Sequence, residues 1–203
     1  MIVIGVTGPS GAGKSLFCKY INELGLPMID ADEVYHSLLV PPSLCLKKIK
    51  EVFGDSVFNP DGTLDRKALG AVVFNSKDKL ELLNKTVLGF VLDRIREMIS
   101  ELEVKKQSVV FVDAPTLIES GFHLECDRVI SILAKKDVRV ERIALRDDLT
   151  REKALERVNA QKSDDFYISN SDHILENDGD ADAFKDASLK LLKTVLDGFG
   201  GVK

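Results

Sequence analysis

The spacing of apolar positions changes period several times along the chain, and each change marks an element. The run Ile2-Val3-Ile4-Gly5-Val6 is continuously apolar and predicts a strand buried on both faces. After a glycine-rich stretch, Leu16, Phe17, Tyr20, Ile21 and Leu24 recur at helical spacing and predict an amphipathic helix that stops at Gly25. Leu26-Pro27-Met28-Ile29 predicts a second, short strand ending in Asp30-Ala31-Asp32. Asp32 is in position to N-cap the helix expected through Glu33, Val34, Leu38 and Leu39.

From Pro41-Pro42 to about Lys106 the pattern turns wholly helical, with segments predicted over Ser43 to Phe53, Asp65 to Phe74 and Lys77 to Leu102. The last carries Leu80, Leu83, Val87, Val91, Ile95 and Ile99 along one face, and Asn59-Pro60-Asp61-Gly62 reads as a loop. Strand and helix then alternate again. Ser108 to Asp113 and Arg128 to Leu133 read as strands, Val138 to Arg146 as a helix, and His173 to Glu176 as a strand turned by Asn177-Asp178-Gly179. A final helix from Asp182 to Leu196 aligns Phe184, Leu191, Leu192, Val195 and Phe199, and Gly198, Gly200 and Gly201 predict a frayed end. Alternation of this kind argues an α/β fold, with residues 41–104 inserted into a core made of 1–40 and 105–203.

Composition narrows the function classes. The 203 residues are 44% hydrophobic, enough for one compact domain with inserts, and the net charge of -5 argues against a surface built to bind nucleic acid. No apolar run is long enough to span a membrane and no signal-like region precedes the first strand, so we expect no membrane partner and a cytoplasmic location. Cys18, Cys45 and Cys126 are odd in number and far apart, which suggests neither a disulfide framework nor a zinc site. His36, His123 and His173 lack ligand spacing.

The most informative stretch follows the first strand: Gly8-Pro9-Ser10-Gly11-Ala12-Gly13-Lys14-Ser15. The pattern G-x-x-x-x-G-K-[ST] needs glycines so that successive N–H groups can turn toward an anion, with the following helix adding the positive end of its dipole. Lys14 would reach the β and γ phosphates of a nucleotide, and the Ser15 hydroxyl would ligate Mg²⁺. Ligands in open α/β sheets sit at the carboxyl ends of strands, which draws attention to Asp30, Asp32 and Asp113. Asp113 is a candidate to hold Mg²⁺ through water. Arg139, Arg142 and Arg146 share a helix face and, with Arg151 and Arg157, read either as a positive fork for a phosphoryl group or as a surface helix paired with the interleaved acids.

In order and spacing, several stretches together resemble the dephospho-coenzyme A kinase family. They are Gly8 to Ser15, Asp30-Ala31-Asp32, Phe53-Gly54, Gly62 to Leu69 with Val73-Phe74, and Asp113-Ala114-Pro115-Thr116-Leu117-Ile118-Glu119. They continue through Glu141-Arg142-Ile143, Arg146-Asp147-Asp148, Arg157 with Gln161, and Asp172 to Gly179. Two positions depart from the family pattern: Leu88-Gly89 stands where a His-Pro is usual, and His36 where an arginine is often found.

The resemblance implies a P-loop fold: a five-stranded parallel sheet flanked by helices, a helical coenzyme A-binding insertion over 41–104 and a mobile lid over about 146–162. It further implies ATP and dephospho-coenzyme A as substrates, Mg²⁺ as cofactor, and a monomer or small homo-oligomer. The roles that follow are Asp32 as the base, with Asp30 as an alternative base or orienting group, and Arg142 and Arg146 neutralising charge as the lid closes. Asn177 would border the adenine. Rival readings are another small-molecule kinase of the same fold, such as a nucleoside monophosphate kinase, or a non-catalytic ATP-binding regulator. A GTP switch is disfavoured because Asn75-Ser76-Lys77-Asp78 lacks Lys in second place and lies in the helical insertion.

Overall fold

The computed structural model describes residues 1–199; Gly200 and Gly201 of the expected frayed end lie outside them. Strands β1 (Ile2–Thr7), β2 (Met28–Asp30), β3 (Val109–Asp113), β4 (Arg128–Leu133) and β5 (His173–Glu176) form one sheet in the order β2-β3-β1-β4-β5. The β1–β3, β1–β4 and β4–β5 pairs are parallel. The apolar runs of β1, β3 and β4 are buried on both faces because helices cover both sides. Between β2 and β3 lie α2 (Ala31–Leu38), α3 (Leu44–Phe53), α4 (Arg66–Val73) and the long α5 (Lys77–Val104). Helix α1 (Lys14–Glu23) follows β1, and α6 (Lys136–Asp147), α7 (Arg151–Asn159) and α8 (Asp164–Ile168) separate β4 from β5. The closing helix is α9 (Ala181–Asp197).

Two compact units result, one made of residues 1–29 with those from Leu102 onward, the other of Asp30–Glu101. The first is centred on Ile4, Val6, Phe111, Ile130 and Ile132 of the sheet, packed with Phe17 and Ile21 of α1 and Phe184, Leu192 and Val195 of α9. The second has its own core, in which Cys45, Leu46 and Ile49 of α3 meet Val57, Leu69, Val73, Leu83 and Val87.

Local sequence explains most element ends. Ser43 caps α3 and Asp65 caps α4 through side-chain hydrogen bonds to Leu46 N and to Lys67 N and Ala68 N. One expectation is corrected: Asp30, not Asp32, N-caps α2, its Oδ1 accepting from Asp32 N at 2.8 Å and Glu33 N at 3.2 Å. The chain is still extended at Asp30 and already helical at Ala31, so the cap position falls on the last strand residue. Strand β2 starts at Met28 because Pro27 has no N–H to donate; the Pro27 carbonyl still accepts from Phe111 N. Leu24 falls just past α1 and is exposed, unlike the other apolar positions of that stripe.

Helices α7 and α8 have no counterpart in the hydrophobic pattern. Helix α7 buries only Ala154 and Val158, too few apolar residues to leave a readable stripe. Those two side chains pack on Val140 and Ile143 of α6, so the expected lid segment shares a small core with α6. Among the described residues no helix is long and apolar enough to cross a membrane.

Candidate active site

From β1 the chain first passes β3 to the edge strand β2, then returns through β3 and past β1 to β4 and β5, so its direction across the sheet reverses beside β1. Such a switch point opens a crevice at the carboxyl ends of the strands. Gly8 to Ser15 leaves β1 there, Asp113 closes β3, and Asn177 follows β5.

The loop must pass close to other backbone, and its glycines answer that need. Gly8, at φ +144°, lies so near β4 that a Cβ would stand 2.3 Å from the Ile132 carbonyl oxygen. Gly13, at φ +104°, is the N-cap of α1, and a Cβ there would meet Asn177 Nδ2 at 2.0 Å. No acidic residue occupies the first turn of α1, which leaves the positive end of its dipole unneutralised by its own helix.

Lys14, the first residue of α1, forms a part-buried ion pair with Asp113 Oδ1. The Cys18 thiol donates to the other carboxylate oxygen of Asp113 at 3.3 Å. Asp113 is only 6% exposed, and both of its carboxylate oxygens are partnered. Cys18 lies one helical turn beyond Lys14, and its polar contact depends on β3, far along the chain.

The arginines of α6 all turn toward the loop. Arg139 is 4% exposed, donating from Nε to the Ser10 carbonyl at 3.2 Å and from Nη2 to Gln161 Oε1 at 2.9 Å, with Nη1 3.4 Å from Asp164. Burial pushes its guanidinium pKa below the ordinary value, a shift opposed by Asp164. Arg142 donates from Nη1 to the carbonyls of Gly11 at 3.3 Å and Ala12 at 3.4 Å, and from Nη2 to Asn177 Oδ1 at 3.3 Å. Arg146 reaches Ser10 Oγ at 3.3 Å while its Nε and Nη2 hold Asp147. Arg157 pairs with the same Asp147, and Arg151 with Asp137. Hydrogen bonding from Arg146 is the main cause holding the Asp147 carboxyl below the usual range.

The fork and salt-bridge readings of this face therefore divide by residue. Arg151 pairs with an acid away from the loop, Arg139 and Arg142 grip the loop backbone, and Arg146 touches both. Asn177, 4% exposed, donates from Nδ2 to the Ala12 carbonyl at 2.8 Å. Gln161 accepts from Ser10 N at 2.8 Å and was legible beforehand only as a motif residue.

In the helical unit, Asp32 is exposed in the first turn of α2 while Asp30 is engaged in its cap. At the two departures from the family pattern, His36 packs against Tyr35 at 5.5 Å between ring centroids, and a Cβ on Gly89 would meet open space.

A glycine-rich loop between a central parallel strand and a helix, with its lysine on a buried acid at the neighbouring strand end, defines a P-loop kinase. A family model described as dephospho-CoA kinase matches residues 2–183, and the chain belongs to that family. The dephospho-CoA kinase of Dehalococcoides mccartyi is 34% identical over 177 residues, 87% of this chain and 89% of that protein. Among solved structures, a Thermus thermophilus protein superposes with a TM-score of 0.80 at 29% identity, over 96% of this chain and 97% of its own. The dephospho-CoA kinase from Campylobacter jejuni gives 0.73 at 29% identity, over 97% and 98%.

Proposed function

We propose that the protein transfers the γ-phosphoryl group of ATP to the ribose 3′-hydroxyl of dephospho-coenzyme A, giving coenzyme A and ADP. The observation that carries the reading is the loop itself, with Lys14 held at the mouth of the cradle by Asp113. Family membership and coverage of nearly the whole chain support the acceptor.

Phosphoryl transfer through a loose transition state asks the protein mainly for position and charge. The N–H groups from Gly11 to Ser15 and the Lys14 ammonium hold the β and γ phosphates. Asp32 takes the proton of the attacking hydroxyl as the new P–O bond forms and the β–γ bridging bond breaks. Asp30, its carboxylate engaged by two N–H groups, orients the turn that carries Asp32. Arg142 and Arg146 supply positive charge at the loop, and the Asn177-Asp178-Gly179 turn borders the adenine.

The Ser15 hydroxyl and the Asp113 carboxylate are hard oxygen donors that suit Mg²⁺, an ion usually held by one or two carboxylates together with substrate phosphates. When bound, the ion would neutralise charge on the phosphates. Ser15 and Asp113 are the residues that would hold it.

Incubation with ATP and dephospho-coenzyme A should yield a species one phosphate heavier than the acceptor by mass spectrometry. Preference for nucleoside monophosphates in an acceptor panel, or ATP binding without turnover of any acceptor, would overturn the assignment.

A further inference from the structure

The side chains outside the loop act on its peptide groups. A trans peptide holds its C=O and the N–H of the next residue on opposite sides of one plane, so whatever fixes the carbonyl aims the N–H that follows. Arg139 Nε fixes the Ser10 carbonyl across 129 residues of chain, which turns the Gly11 N–H away from α6. Asn177 Nδ2 and Arg142 do the same to the Ala12 carbonyl and hence to the Gly13 N–H. Gln161 Oε1 then accepts from both the Ser10 N–H and Arg139 Nη2, closing a ring of three residues.

A cation 4% exposed is costly to bury, and its full-charge partner Asp164 is half exposed at 3.4 Å. The hydrogen bonds of Arg139 Nε and Nη2 are spent on neutral oxygens of the loop and of Gln161. The loop is also seated on α6 by contact: a Cβ on Gly11 would stand 2.9 Å from the Arg139 carbonyl oxygen.

We propose that Arg139, held by Gln161, is a positioning residue for ATP, fixing the Ser10–Gly11 peptide so that the loop N–H groups face the phosphates. This rests on the kinase reading of the loop and is independent of the acceptor. Arg139 does not touch the nucleotide; its effect passes through the loop backbone, and so it acts on ATP affinity and leaves acceptor affinity alone.

The test is titration of the intact protein with ATP and Mg²⁺, together with steady-state kinetics on dephospho-coenzyme A. Arg139→Met keeps length and loses the donors; ATP affinity should fall about tenfold, the loss of one charge-assisted hydrogen bond, with KM for the acceptor within about twofold. Gln161→Ala removes the seat but not the guanidinium and should cost about threefold. Asp164→Asn removes the ion pair alone and should leave ATP affinity within about twofold.

Wild-type ATP affinity in Arg139→Met would overturn the proposal, as would a loss in Asp164→Asn equal to that in Arg139→Met. Should Arg139→Met fail to fold, unchanged ATP affinity in Gln161→Ala overturns it instead. A wild-type protein that binds ATP without phosphorylating dephospho-coenzyme A defeats the acceptor assignment, while the ranking of the variants still decides the role of Arg139.

Discussion

The two units place their chemistry in opposite ways. In the sheet unit, the polar side chains around the loop are largely buried and bonded to partners far away in sequence: Lys14 to Asp113, Arg139 to Ser10 and Gln161, Asn177 to Ala12. In the helical unit, the candidate acids are held by neighbours, Asp30 through a cap to the next turn and Asp32 by its exposed place on α2. A group that must meet phosphate charge gains from a site already organised in a low dielectric, since no reorganisation is then needed at the moment of transfer. A base needs only reach and ionisation, and a local turn can supply both. The consequence is that changes around the loop should act on ATP and on the fold together, whereas changes at Asp32 should act on turnover alone.

The strongest way to break this contrast is Lys14→Ala, for which we expect kcat to drop by about 10³-fold or more in a coupled assay. Asp113 then loses its ion-pair partner, so thermal melting should remain cooperative at a lower Tm. Unchanged turnover would remove Lys14 from the mechanism.

Asp32→Asn comes next: kcat lower by roughly 10² to 10⁴, with ATP affinity by titration near wild type. A fall in ATP affinity matching the fall in kcat would mean that the acid shapes the donor site, and the contrast between the units would collapse.

Ile49→Ala, at a fully buried position in the helical core, should lower unfolding free energy by about 2–5 kcal/mol in urea while ATP affinity stays within about twofold. Parallel loss of ATP affinity in the folded variant would show that the loop depends on the second core. Smallest is Asp65→Ala at the N-cap of α4, expected to cost about 1 kcal/mol and to leave kcat and both KM values in place. A change in kinetics there would reveal a role beyond the cap.

Much of this was legible beforehand. The phosphate loop, the strand ending at Asp113, the strand at His173–Glu176, the long helix from Lys77 and the helix starts near Ser43 and Asp65 are encoded by spacing and residue type within a few positions. Helices α7 and α8 were not, because an element that buries only one or two side chains leaves no stripe in the pattern. The cap of α2 moved from Asp32 to Asp30 because two adjacent candidates differ only in where the backbone leaves the extended region.

By itself, then, the chain determined most of its elements, its nucleotide loop and its family, since each of these is written in short-range patterns repeated in order. What only the tertiary structure decided is the assignment of partners. Three arginines at helical spacing among acids are equally a surface face and a grip on the loop. That choice is made by Ser10, Gly11 and Ala12, brought against α6 from more than a hundred residues away by the order of the strands. The physical reason is burial: once Arg139 is enclosed, its donors must find oxygen acceptors, and the Ser10 carbonyl, Gln161 and Asp164 are the ones within reach.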